Sequence, residues 1–269
     1  MSKKRKNNKP KSGLNILVIP DSHAKPGVPN DRYDWLAKFI LDRKPDVIVE
    51  LGDFADMASL SSYDTGTVLA ENKRLFEDIA WAIDARIRLT MPILREAERR
   101  KLQKHKPYTP RLIALGGNHE HRINRVMNSS PNLQGMWTQD VSGAAELGWE
   151  FYPFGEIVKL HEINFCHYFK KQGQNKGYSG KYITHHINSV MMESCIQGHT
   201  HQFSYASQTS PLGRRIISVV AGCYFEHQEH YAGNDNNTWF RGVLMLNNVV
   251  DGSFEIEQVS METIKRRYA

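Results

Sequence analysis

The sequence is poor in cysteine, has no long apolar run and contains no internal repeat. Cys166, Cys195 and Cys223 are its only thiols among 269 residues. An odd count without a C-x-x-C pair excludes a disulfide framework and a thiolate zinc site. Each lies in an apolar run and reads as a buried strand residue. No apolar stretch approaches the roughly 18 residues of a membrane-spanning helix, so no membrane partner is expected. The apolar run after the basic start, Leu14 to Pro20, is too short for a secretory signal and ends at Asp21, which makes a cytoplasmic location the expectation. Acidic residues are absent from the first dozen positions, which hold Lys3, Lys4, Arg5, Lys6, Lys9 and Lys11. The net charge of +6 therefore belongs to this end, and the rest of the chain is close to neutral. Interleaved with Asn, Pro and Ser, residues 1–12 read as a disordered basic tail, either a solubilising end or an electrostatic attractor of nucleic acid. With 40% hydrophobic and 24% charged residues, the chain reads as soluble and globular, long enough for a sizeable core and as compatible with one large domain as with two small ones.

The chain punctuates its apolar runs with polar turns. Leu14 to Ile19 is a strand candidate, stopped by Pro20 and followed by Asp21-Ser22-His23. Residues 31–43 have helical spacing, and Val47 to Leu51 is a second strand; strand, helix and strand in this order favour parallel pairing. The second strand closes on Gly52-Asp53-Phe54-Ala55-Asp56. From Glu71 to about Lys104 the pattern is helical and densely charged, with a break expected near Pro92, and 70–106 reads as a helical insertion between core strands. A third strand, Leu112 to Leu115, runs into Gly116-Gly117-Asn118-His119-Glu120. Short strands follow at 150–152, 157–160 and 163–166, the last ending at His167. A helix is expected over 181–192. Cys195 to Gln197 ends in Gly198-His199-Thr200-His201, and three more strands are expected near 215–220, 238–246 and 254–259.

The strand-end residues Asp21, His23, Asp53, Asn118, His119, His167, His199 and His201 are carboxylates, imidazoles and one amide. Such oxygen and nitrogen donors suit Mn²⁺, Zn²⁺, Fe or Mg²⁺. Any one of them has an ordinary explanation as a hydrogen-bonded turn residue. Five such blocks in order, each at the end of an apolar run, point to one shared site. His121, His161, His185, His186, His227 and His230 fit no block and read as surface histidines.

The order D-x-H, G-D-x-x-D, G-N-H-[DE], a lone His and G-H-x-H resembles the calcineurin-like metallophosphoesterases, especially their compact stand-alone bacterial and phage members. The resemblance implies a single domain over 13–269 with an α/β fold, a two-sheet sandwich flanked by helices, with the late strands in the second sheet. It implies two divalent metal ions, Mn²⁺ foremost and Zn²⁺, Fe or Mg²⁺ as alternatives. One would take Asp21, His23, Asp53 and His201. The other would take Asp53, Asn118, His167 and His199, so that Asp53 bridges. His119 would stabilise phosphoryl charge or protonate the leaving group, with Asp56 orienting it or merely capping its turn. Arg122 would contact substrate phosphate or pair with a carboxylate at the helix start. The implied activity is phosphoester hydrolysis by direct attack of a metal-bridging hydroxide, without a covalent intermediate. Met57 follows Asp56 where protein phosphatases carry Arg-Gly, and the basic tail favours a phosphodiesterase acting on a nucleotide or nucleic acid. A phosphomonoesterase or Ser/Thr protein phosphatase is the alternative, and an inactive binding module of the same fold the lesser one. The motifs are silent on oligomeric state.

Overall fold

Alternation along β1 (Leu14–Ile19) sets up the layers of the molecule. Ile16 and Val18 face one side, Leu17 and Ile19 the other, and all four are fully buried. A strand apolar on both faces needs cover on both. The computed structural model describes residues 13–63, 66–68, 71–174 and 176–269; the basic tail lies outside the described residues.

Around β1 runs a six-stranded sheet in the order β11 (Ser253–Ser260), β10 (Gly242–Val250), β1, β2 (Val47–Glu50), β3 (Arg111–Leu115), β4 (Glu150–Tyr152). Strands β1 to β4 pair in parallel, whereas β10 pairs antiparallel with β1 and β11. The second sheet has the order β5 (Val158–Leu160), β6 (Ile163–Phe165), β7 (Ser194–Gln197), β9 (Arg215–Ala221), β8 (Phe203–Thr209). Ile16, Val18, Val49 and Ile113 of the first sheet meet Phe165, Ile196, Ile217 and Val219 of the second in one apolar layer. On the far side of the first sheet, Leu17, Ile19 and Ile48 pack against α1 (Asp31–Arg43), α2 (Leu75–Leu102) and α5 (Met261–Tyr268). Helix α4 (Ile183–Met191) covers the outer face of the second sheet through Ile183 and Ile187. Two facing sheets flanked by helices are the architecture that the resemblance implies.

Three details differ from the sequence reading. The late strands do not all join the second sheet: β10 and β11 return to the first, where β10 pairs with β1 and covers an edge that would otherwise expose an apolar strand. Helix α2 runs through Pro92 without the expected break. A proline removes one helical hydrogen bond, but Ala85, Leu89 and Ile93 keep the turns on either side pinned to the core. Because α2 connects parallel strands β2 and β3, it is their crossover and packs on α1. Strand β8 and helix α5 were not anticipated; the exposed residues of β8 blur its alternation, and α5 starts where the Ser260 hydroxyl accepts the Thr263 N–H at 3.2 Å. All three cysteines are buried and unpaired. Among the described residues, no helix is long and apolar enough to cross a membrane.

Candidate metal centre

The parallel strands β1, β2 and β3 end on one edge of their sheet, and β6 and β7 bring the ends of the second sheet to the same place. Their terminal turns are sharp. His23, Asp53, His199 and His201 all adopt positive φ, at 43°, 51°, 72° and 60°. Such backbone is uncommon outside glycine and costs about 1–3 kcal/mol per residue, and strain of this kind gathers at functional sites. Two glycines make the approach possible. A Cβ on Gly117 would collide with the Asp53 amide and carboxylate, and a Cβ on Gly198 with Asp21 Oδ1.

Asp53 lies at the centre. Its Oδ1 accepts the His119 N–H at 2.8 Å, while Oδ2 stands 3.3 Å from His167 Nε2, 3.7 Å from His119 Nε2 and 3.8 Å from His23 Nε2. On one side, Asp21, His23 and His201 cluster, with His201 Nε2 3.2 Å from Asp21 Oδ2. The Asp21 carboxylate also accepts the His199 N–H at 2.9 and 3.0 Å. On the other side, Asp53, His167 and His199 cluster, joined by Asn118, whose Oδ1 is 2.9 Å from His167 Nε2.

The donor set suits cations. His167 Nδ1 lies 2.9 Å from the Leu51 carbonyl and donates to it. Burial lowers the proton affinity of this ring, but the Asp53 and Asp21 charges outweigh it and raise its pKa to about 10, so without an ion the Nε2–H faces the oxygens of Asn118 and Asp53. A metal ion would take the place of that proton among the same three donor atoms. His23 is 1% exposed, and neither of its ring nitrogens has a hydrogen-bond partner. Burial pushes its pKa down to about 4 and does the same for His199. Both therefore offer neutral, ligand-competent imidazoles. Burial would raise the Asp53 carboxyl, but His119, His167 and His23 outweigh it and hold it well below the usual carboxylate range. Asp21 is lowered too, since His201 and His167 overcome the effect of burial. His23 thus links the cluster of Asp21 and His201 to Asp53, which itself belongs to the cluster of His167 and His199.

His119 stands beside this cluster. Its Nδ1 faces the Asp56 carbonyl at 2.6 Å and Asp56 Oδ1 at 3.0 Å, so Nδ1 bears the proton. Its Nε2 accepts from Arg122 Nη2 at 3.0 Å. Burial lowers the proton affinity of this ring, but Asp53 and Asp56 raise it above the ordinary value against the Arg122 charge. The Arg122 bond nevertheless needs the Nε2 lone pair, so this hydrogen-bonded arrangement is the neutral tautomer. Donation of a proton from Nε2 to a leaving group would require Arg122 to let go. Asp56 is held well below the usual carboxylate range, because His119 and His23 outweigh its burial. Arg122, at the start of α3 (Arg122–Ser129), donates its other nitrogen to the Asp56 and Met57 carbonyls rather than to a helix-start carboxylate.

No family model and no curated protein matches the chain. Among solved structures it is similar to YfcE, a phosphoesterase from E. coli, with 12% identity and a TM-score of 0.38 over 92% of this chain and 100% of that one. It is also similar to TT1561 of Thermus thermophilus, with 12% identity and a TM-score of 0.34 over 93% of this chain and 100% of that one. Likenesses this distant decide nothing about chemistry, which the geometry has to carry.

Glu120 enters the sequence reading only as the last position of its motif block, and Lys25 and Glu229 not at all. Glu120 is 4% exposed and binds backbone N–H groups of both neighbouring loops. Lys25 and Glu229 line the adjacent cavity of about 770 Å³, together with Asp56, Asn118, His119 and Arg122. His227 is no surface histidine: it bonds Glu229 and stacks on Phe225 at 4.5 Å. His121 is half-buried against Phe154, 5.0 Å between ring centroids. His161, His185 and His186 are exposed, and the side chain of His230 lies outside the described residues. Lys25 had one signal available, its place two positions after His23. Glu229, 204 residues from Lys25, had none.

Proposed function

We propose that this chain is a two-metal phosphoester hydrolase of the calcineurin-like type. The observation behind the reading is the shared carboxylate Asp53, with nitrogen and oxygen donors converging on it from two sides. Asp21, His23, Asp53 and His201 would hold one ion, and Asp53, Asn118, His167 and His199 the other. Two divalent ions supply an activated water at neutral pH and Lewis-acid stabilisation of phosphoryl charge. Asp53 would face both ions and offset part of their charge through a single negative charge spread over two oxygens. Asn118 contributes a neutral oxygen. Asp56 holds the His119 ring by its Nδ1–H, and His119 with Arg122 presents positive and polar groups to a phosphoryl group in the cavity.

A diester of a nucleotide or nucleic acid is the favoured substrate. The support is the basic tail, whose lysines and arginine release phosphate counterions on binding. The cavity favours a second reading, a phosphomonoesterase, because Lys25 and Arg122 line it beside His119 and would match the additional charge of a monoester. The test is a panel of generic phosphodiester, phosphomonoester, cyclic nucleotide and single-stranded DNA or RNA substrates under Mn²⁺, with metal content measured in parallel. Turnover of diesters above monoesters, lost when residues 1–11 are removed only for nucleic acid, supports the favoured reading. Turnover of monoesters alone supports the second, and full metal content without any turnover leaves a binding module.

A further inference from the structure

We propose that Lys25 is a substrate-phosphate contact, held ready for that role by Glu229. The inference rests on the phosphoester-hydrolase reading and adds to it a residue outside the five motif blocks. Lys25 leaves the first ligand loop two positions after His23, and its backbone is fixed there. The Ala24 N–H donates to the Phe54 carbonyl at 2.7 Å, and the Asp56 N–H donates to the Ala24 carbonyl at 3.0 Å. The Lys25 side chain is 20% exposed, with its ammonium 2.6 Å from Glu229 Oε1 and 3.5 Å from Asp56 Oδ2. His23, Asp56 and Glu229 have the spacing of a cation site. The Lys25 ammonium already occupies the space between its two carboxylates.

Glu229 is itself well held. It accepts from His227 Nε2 at 2.7 Å, and its backbone N–H and carbonyl both bond the Asn236 side chain, at 2.9 and 2.8 Å. Phe225, under the His227 ring, touches His23 and His201 at 4.9 and 5.2 Å between ring centroids. The segment carrying Glu229 is therefore built against the candidate ligands. A purely structural ion pair would hide the ammonium, but Lys25 stands on the wall of the cavity that also exposes Asn118, His119 and Arg122. An ammonium has three donors. One is given to Glu229, and the remainder can meet the non-bridging oxygens of a phosphoryl group seated next to His119. The contact needs only the charge and donors of Lys25, with no proton transfer.

The test uses the full chain loaded with Mn²⁺ and compares wild type with Lys25→Gln, Lys25→Arg and Glu229→Gln. Metal content, kcat and KM for a generic phosphodiester, and competitive inhibition by inorganic phosphate are measured. Lys25→Gln should keep its metals, lose about 10- to 10³-fold in kcat/KM, and weaken phosphate inhibition in parallel. Lys25→Arg should recover most of both losses, and Glu229→Gln should show a smaller loss with intact metal content. Wild-type kcat/KM and phosphate inhibition in Lys25→Gln overturn the proposal, as does a loss of metal from that variant. If the wild type hydrolyses nothing, the hydrolase reading falls separately. Calorimetric binding of inorganic phosphate to the Mn²⁺-loaded proteins then decides Lys25: weaker binding in Lys25→Gln supports it, and equal or undetectable binding in both overturns it.

Discussion

Glu120 accepts the backbone N–H of Asp53, 67 residues earlier in the chain, on Oε2 at 3.1 Å. The same oxygen takes the Gly117 N–H at 2.9 Å, and Oε1 takes the Ala55 N–H at 2.7 Å. One buried carboxylate thus ties the loop after β2 to the loop after β3, and it is the loop after β2 that presents Asp53. Glutamine at this position would keep one oxygen but turn an NH₂ toward a backbone donor. Glu120→Gln should lower unfolding stability by about 1–3 kcal/mol and Mn²⁺ affinity by about 10–100-fold. Denaturant titration and calorimetric Mn²⁺ binding check both, and an unchanged metal affinity would show that the Asp53 loop holds its shape unaided.

Asp53→Asn removes the negative charge shared by the two ligand clusters. Turnover should disappear and occupancy of both metals should fall, while the fold persists because apolar contacts hold β2 in its sheet. Elemental analysis, circular dichroism and an ester assay on one preparation report the three quantities. Full occupancy with near-normal rates would remove Asp53 from the bridging position.

His119→Ala separates metal holding from chemistry. Both metals should stay and activity should drop by on the order of 10²–10⁴. The Arg122 bond to Nε2 makes the leaving-group dependence informative. An equal loss for good and poor leaving groups assigns His119 to phosphoryl charge, whereas a smaller loss for the good leaving group assigns it to proton donation. Departure of metal from this variant would place His119 among the ligands.

Glu229 sets an acid limit on stability. Burial alone would raise its carboxyl, but the His227 hydrogen bond and the Lys25 charge bring it from 4.5 to about 2. A folded pKa below the unfolded one stabilises the native state above pH 4.5, and that stabilisation is lost as pH falls toward 2. In metal-free protein, Glu229→Gln should therefore be less stable than wild type near neutrality, by on the order of 3 kcal/mol. The difference should shrink between pH 4.5 and 2. Denaturant midpoints measured across that range provide the check, and a constant difference would show that the loss is one of packing rather than charge.

Much of the frame was legible because it depends on local pattern. Two-sided burial of β1 and β2 leaves short continuous apolar runs, the helical period of α1 and α2 is read over several turns, and Pro20 and Gly52 mark where strands stop. The candidate ligands were legible for a related reason, since each sits at the end of such a run and polar residues there have no core to join. Which sheet a late strand enters is different. Gly242 to Val250 is apolar enough for either sheet, and only the open edge of β1 decided the pairing. The Lys25–Glu229 pair, the Arg122 bond to His119 and the three backbone bonds to Glu120 were likewise settled by tertiary structure. Local spacing specifies which residues share a turn. Contacts between separate turns depend on how two sheets meet, and that is determined by the packing of the whole apolar layer between them.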